Sequence, residues 1–236
     1  MRSQVLVPHQ PAYLPWAGYF SRLLDVDRLV LLDHVQFTER GWQNRNFIRT
    51  RKGERIRLTV PVTRRFGQAI NHVQIADPAF TARHWRTIQQ AYRRAPYWMD
   101  CTTELASIYQ SRWDSLAALN LALTRALLRC LGHPIEILRS SELAPEGNST
   151  AMLIDLCRRT GSRVLRVGTG ASTHYLDRQL LADSGITVEI AAYTTPTTEE
   201  EADRAPVSIL DTLVRHGPNT LEILRQGATL RLWTQP

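Results

Sequence analysis

The stretch QVLVPHQPAYLPWAGYFSRLLDVDRLVLLDHVQF, residues 4–37, decides the fold. It opens with a short apolar run at 4–8 that stops at a proline, as a buried strand does. After the loop HQP, the residues Tyr19, Phe20, Leu23 and Leu24 recur at helical spacing. RLVLLDHVQF (28–37) is a near-continuous apolar run closed by polar residues, the pattern of a strand buried on both faces. Strand, loop, helix and strand in this order make a βαβ unit, whose connection is right-handed. Sheets built from such units bind ligands beyond the carboxyl ends of their strands. Those ends carry His9-Gln10 and Asp33-His34-Val35-Gln36, so two polar clusters converge on one side of the sheet.

Outward from this unit the α/β alternation continues. Residues 55–62 (RIRLTVPV) predict a strand, and FTARHWRTIQQAYRRAPYW a helix that ends at Pro96. Residues 104–131 predict a long amphipathic helix, with Leu116, Leu119, Leu123, Leu127 and Cys130 at helical spacing and Gly132 as its stop. GNSTAMLIDLCRRTG is a helix started by Ser149 or Thr150 and stopped by Gly161. RVLRVG is a strand that opens into the loop GTGASTHYLD. ITVEIAAY and VSILDTLVRHG supply a further strand and helix, and TPTTEEEADRAP (195–206) reads as a mobile loop. No internal repeat is present. The expectation is a single α/β domain over 1–236 with a mostly parallel sheet. Its core is Rossmann-like (nucleotidyltransferase-like), with a helical layer inserted at about 80–132.

Composition narrows the class. The chain has 236 residues, 43% apolar and 22% charged, enough for a substantial core and unlike a disordered polymer. No apolar run reaches the roughly 18–20 residues that span a bilayer. MRSQVLVPHQP is too short in apolar residues for a signal-peptide core, so a cytoplasmic location and no membrane contact are expected. The cysteines at 101, 130 and 157 are odd in number and lack CxxC or Cys/His metal spacing. Cys130 and Cys157 sit in helical patterns as packing residues; Cys101, after Asp100, falls near a helix start, where a thiolate is stabilised. The net charge of +7 is uneven. Residues 1–100 hold 16 basic and 7 acidic side chains, a balance of +9, and the remainder 13 and 15, a balance of −2. The basic half carries the motifs, which points to an anionic partner: a phosphate, a nucleotide, coenzyme A or RNA. The alternative is a solvated basic face.

The candidate site residues follow from position and chemistry. His9, directly after the first strand, is placed for a general base, with Gln10 beside it. Pro11 and Pro15 stiffen the loop, Gly18 admits a close approach, and Tyr13, Trp16 and Tyr19 offer amphipathic pocket walls. Asp33 either orients His9, grips an amine, acts as a base or caps a turn. Gln36 and the run WQNRN add amides at Gln43 and Asn44, an indole at Trp42, and the planar fork of Arg45 for carboxylate or phosphate. His84 lies on a helix, as a site or packing histidine. In GTGASTHYLD the backbone around Gly168 and Gly170, with Tyr175, suits an anion, although the loop has neither a GxGxxG, a GxxxxGK[ST] nor a GxSxG signature.

HQPAYLPWAGYF, LLDHVQF with TERGWQNRNFI, LTVPV, RHWRTIQQAYRRAPYW, RSSELAPEGNSTAMLIDLCRRTG and SILDTL, in that order, resemble the WbqC-like family over roughly residues 5–180 and more thinly beyond. The resemblance implies a cytoplasmic bacterial protein encoded beside genes for O-antigen sugars or specialised metabolites. It implies a tailoring enzyme that adds an acyl or aminoacyl group to an amine. Two departures stand out: Val167 replaces the serine expected before the glycine loop, and TTPTTEEEADRAP replaces a late proline-tyrosine segment. The strand–loop–helix–strand order also resembles the nucleotidyltransferase superfamily with its HxGH signature, but Trp16, Gly18 and Tyr19 stand where a second histidine would be sought.

The leading expectation is an acyl or aminoacyl transferase. In it His9 is the base, Asp33 its orienter or the amine's anchor, and Gln36, Gln43 and Asn44 the acceptor's partners. Arg45 and its neighbours would hold an anionic small-molecule, thioester-carrier or aminoacyl-tRNA donor. No cofactor or metal is required by the residues. ATP with magnesium enters only under the alternative, a nucleotide-dependent ligase or nucleotidyltransferase; a third class is a non-catalytic RNA- or carrier-binding module.

Overall fold

A computed structural model describes residues 4–170, 176–196 and 206–233. In chain order the strands are β1 (Val5–His9), β2 (Arg28–Leu31), β3 (Arg45–Arg49), β4 (Arg55–Thr59), β5 (Val62–Thr63), β6 (Gln74–Ile75), β7 (Glu136–Arg139), β8 (Val164–Gly168), β9 (Thr187–Tyr193) and β10 (Ala228–Leu232). The helices are α1 (Ala17–Ser21), α2 (Phe80–Tyr92), α3 (Trp98–Gln110), α4 (Leu116–Cys130), α5 (Ser140–Leu143), α6 (Ser149–Thr160), α7 (Arg178–Asp183), α8 (Leu210–His216) and α9 (Thr220–Gly227).

Six strands form one sheet in the order β10-β9-β8-β1-β2-β7. All neighbours are parallel except β10, which runs antiparallel to β9. The expected β1–α1–β2 unit is present, with His9 level with Leu31 in the ladder. Its strands are apolar on both faces because both faces are covered. Val5, Val7, Leu29 and Leu31 join the larger core with α1–α4, α8 and α9, whereas Leu6 and Val30 join a second core under α6 and α7. Strand order reverses between β1 and β8. Their ladder is recorded only at Val5–Val164 and Leu6–Leu165, and the same offset puts His9 level with Gly168.

The expected helical layer lies within a long insertion, residues 32–135, between the neighbouring strands β2 and β7. Two local expectations need correction, and two strands were not expected. The helix expected over 104–131 is two helices, α3 and α4. The chain breaks at 111–115, where the Trp113 indole donates to the Ile108 carbonyl and Ser115 accepts from the Ala118 N–H to cap α4. The strand expected at 55–62 does not enter the main sheet; β4 pairs with β3 in a separate hairpin, and Val62 belongs to a short β5–β6 ladder. WQNRN therefore leads into a strand, hidden in the sequence because its inward residues are Asn46 and Ile48, flanked by arginines. Strand β7, at the sheet edge and partly exposed, was too short and mixed to signal itself.

Other expectations agree with the structure. Gly161 ends α6 with φ 66°. Cys101 lies in the first turn of α3, but it is buried, and its hydrogen bond to the Cys130 thiol, then burial, push its thiol up, away from the reactive thiolate. No described helix is long and apolar enough to cross a membrane. Residues 197–205 of the expected loop, and Tyr175, lie outside the described residues.

Candidate functional site

The two motif segments turn out to be each other's partners. The Tyr13 N–H donates to the Trp42 carbonyl, and the Gln43 amide donates to Gln10 Oε1 at 2.7 Å while accepting from the Thr38 N–H. Asn46 Nδ2 donates to the carbonyls of Tyr13 and Leu14. That clip holds Leu14 at φ 44°, a left-handed conformation costly for a branched side chain. Gln43 is buried and donates to Gln10, and the Asn44 amide bonds the Val60 carbonyl. Both amides are scaffold in this arrangement. Trp42 and Arg45 face outward, and Gln36 is exposed beside Gln10 at a shared hollow.

The aromatic residues divide in the same way. Tyr13 is buried; its hydroxyl meets His84 Nδ1 and the Tyr109 hydroxyl, each at 2.7 Å. His84 is thus a core histidine, lowered to about 4 by burial and then by Arg83. Trp16 lines a separate basic hollow of about 330 Å3 with Arg49, Lys52 and Arg215, and packs edge-on against Tyr193. Its indole also covers Gly18, where a Cβ would come within 2.3–2.7 Å of three ring atoms. Gly18→Ala should therefore lower stability by about 1–3 kcal/mol through overpacking, despite alanine's better helix propensity. Urea unfolding checks this, and a stabilised variant would contradict the packing argument.

The side chains that do converge are His9, Tyr19, Arg22 and the backbone of Gly168, at the reversal of strand order. Tyr19 is buried with its ring edge-on to His9, centroids 4.5 Å apart. His9 Nδ1 lies 2.8 Å from the Gln10 carbonyl. A carbonyl only accepts, so the proton is on Nδ1 and the lone pair is on Nε2. Burial, then the positive charge of Arg22, lower His9 to about 4 against the opposing effect of the Gln10 bond, so the ring is neutral at neutral pH.

Arg22 was not singled out in the sequence, where it is one arginine among many. Its Nε is buried with no hydrogen-bond partner among the described residues, and burial lowers its pKa. A Cβ on Gly168 would come within 2.3 Å of Nη2, so any larger residue there would push the guanidinium out of this position. Arg166 on β8 secures the base of the arrangement. It donates to the carbonyls of Arg22 and Leu24 at the end of α1 and pairs with Glu189 at 2.8 Å. Gly170 is exposed just beyond.

Asp33 does not reach this group. Its carboxylate accepts from Arg139 Nε, the Ser140 hydroxyl, and both the N–H and hydroxyl of Ser141, at 2.8–3.1 Å. Burial alone would raise its pKa, but the Ser141 and Arg139 bonds outweigh it and hold the carboxyl low. Of the roles open to Asp33, joining the end of β2 to the start of α5 is the one its contacts fill; the expected bond to His9 is absent because Nδ1 is already bound to Gln10. His34 Nδ1 meets the same Ser140 hydroxyl at 2.5 Å. No group of three or more His, Cys, Asp or Glu among the described residues has metal-ligand geometry.

Residues 10–223 match the WbqC-like protein family. An uncharacterized protein of Mycobacterium tuberculosis, Rv1507c, is 29% identical over 221 residues, covering 92% of this chain and 95% of that protein. No solved structure matches. The matched range takes in both interlocked segments, Arg22 and the Gly168 turn, and the chain belongs to the WbqC-like protein family.

Proposed function

We propose that the chain is a biosynthetic tailoring enzyme that transfers an acyl or aminoacyl group from an anionic donor to an amine. Its setting would be the assembly of a glycan or a specialised metabolite. The supporting observation is the buried Arg22 guanidinium beside neutral His9 and Gly168 at the strand reversal. A crevice at such a reversal is where open α/β sheets take ligands. An anionic group of the donor binds Arg22, and the amine attacks the donor carbonyl. A C–N bond forms, the bond to the carrier breaks with its electron pair going to the carrier, and His9 Nε2 accepts the proton the amine loses and passes it to the departing carrier. Near 4, His9 is a weak base at neutral pH. An anion on Arg22 offsets the second of the two effects that lower it, leaving burial, so donor binding recovers part of the ring's basicity before the amine arrives.

In a strain carrying His9→Ala, the product of the host pathway should disappear and its free-amine precursor accumulate, read by mass spectrometry. General-base loss of this kind costs about 10²–10⁴ in rate. Undiminished product from a variant that melts like the parent would sink the assignment.

A nucleotide-dependent ligase or nucleotidyltransferase is the second reading, favoured by the same strand reversal with a glycine turn beside an arginine. Calorimetry with ATP, CTP and GTP in magnesium tests it; no heat with any of the three argues against it.

A further inference from the structure

One feature of the basic half is left unused by the strand-end site: the segment Thr63–Gln68, which presents a fully exposed aromatic residue. Phe66 is 98% exposed, the most exposed of the large hydrophobic side chains described. Full burial of such a side chain is worth roughly 1.5–3 kcal/mol, so its place in solvent is not a packing outcome.

Nor is Phe66 loosely held. The Gln68 N–H donates to the Arg65 carbonyl, closing a turn whose third residue, Gly67, has φ 75°, a value that favours glycine. The Arg65 N–H donates to Gln68 Oε1 at 2.8 Å, Gln68 Nε2 donates to the His72 carbonyl at 2.6 Å, and the Phe37 N–H donates to the Gln68 carbonyl. Gln68 thus staples the turn at both ends and fixes Phe66 outward.

The surroundings are cationic and open. Arg64 and Arg65 directly precede Phe66, and a hollow of about 630 Å3 runs from this turn to Gln36 and Gln10, the residue that follows His9 in the chain. A second hollow, about 580 Å3, takes the same turn as a wall and reaches His72 and Gln74. Arg40 and Arg45 line a third beside Arg64. Among the described residues one acid, Glu39, lines these hollows with the four arginines, and it pairs with Arg64. Trp42, 54% exposed, adds a second aromatic surface next to the Gln43 strut.

We infer that this face docks single-stranded RNA, with a base stacked on Phe66 and phosphates on the neighbouring arginines. The face, with two exposed rings among arginines, lacks the contiguous apolar area that a protein partner would cover. It has what single-strand binders use, a flat ring for a base face and cations along the backbone. As the donor's carrier, the RNA would deliver its end through the hollow to Gln10 and His9; this assignment of the donor rests on the group-transfer reading above.

The test is fluorescence anisotropy of the full chain with a labelled single-stranded RNA of about 12 nucleotides, within the site size of such binders. Duplex RNA of the same sequence and a polyglutamate peptide serve as competitors. The single strand should bind best. Phe66→Ala should weaken it by about fivefold or more. Arg65→Ala should weaken it and reduce the log–log salt slope by about 0.7. Both positions are exposed, so both variants should melt like the parent. Polyglutamate competing as well as the RNA would replace the proposal with an acidic protein partner, and unchanged binding by Phe66→Ala would reduce it to a basic face. His9→Ala should bind RNA normally. No RNA binding by the parent chain overturns the docking surface and leaves the free-amine test of His9 standing. Normal RNA binding with full product from His9→Ala overturns the transferase and leaves the surface.

Discussion

Asp33→Ala should lower the unfolding free energy by about 3 kcal/mol, the lower end of the range for breaking a buried ion pair. The carboxylate is 1% exposed and accepts hydrogen bonds from Arg139, Ser140 and Ser141. Its removal strips the Ser141 N–H and two hydroxyls of their acceptor where little water can enter. The Arg139 side chain is 34% exposed and can turn to solvent, which keeps the cost from being larger. Because these contacts tie β2 to β7 and α5, the loss should be global rather than confined to a loop. Asp33→Asn keeps the shape and one acceptor oxygen and should cost less. Urea unfolding of both variants decides the matter. A loss below about 1 kcal/mol for Asp33→Ala would return the residue to the list of free functional groups.

Acid should destabilise the parent protein well above the carboxylate range. His9 and His84 are each lowered from 6.5 to about 4, chiefly by burial. Above pH 6.5 both are neutral whether the chain is folded or not, and neither affects stability. Between 6.5 and 4 the unfolded chain binds a proton at each histidine that the folded chain excludes, so stability falls as pH falls. The slope is about 1.4 kcal/mol per pH unit for each histidine, or roughly 3 for the pair. A typical domain holds only about 5–15 kcal/mol, so unfolding should begin near pH 5 rather than near 3. Asp33, held below the usual carboxylate value, loses its contribution only at lower pH and does not mask this window. Denaturant midpoints at pH 7.5, 6.5, 5.5 and 4.5 measure the slope. His84→Gln should halve it, whatever that variant does to the plateau at pH 7.5. A flat profile from 7 to 5 would contradict the burial of both rings.

What was legible in the sequence was what local pattern carries. The apolar runs at 5–8 and 28–32 encode strands covered on both faces, and the proline and glycine positions of HQPAYLPWAGYF encode a stiff turn into a helix. Gly161 encodes a helix end. Strands β3 and β7 were hidden because their polar and charged residues are compensated across space, Asn46 by Leu14 and Arg139 by Asp33. The break between α3 and α4 was hidden because apolar spacing continues through it.

The candidate site divides along the same line. His9 and Gly168 could be placed from the sequence because strand ends are local features and parallel strands bring them to one edge. The partners of Asp33, Gln43, Tyr13 and His84 could not, since each is held by a residue distant in the chain or folded back on it. Arg22 is the clearest case. Nothing in SRLLDV distinguishes its side chain from other arginines, and only the reversal of strand order lays it against Gly168 beside His9. By itself the sequence determined the α/β class, the basic half and the polar residues at the strand ends. The tertiary structure alone decided which polar groups are spent on hydrogen bonds inside the fold and that the Arg22 Nε is buried without a partner among the described residues, because both depend on contacts that sequence distance does not reveal.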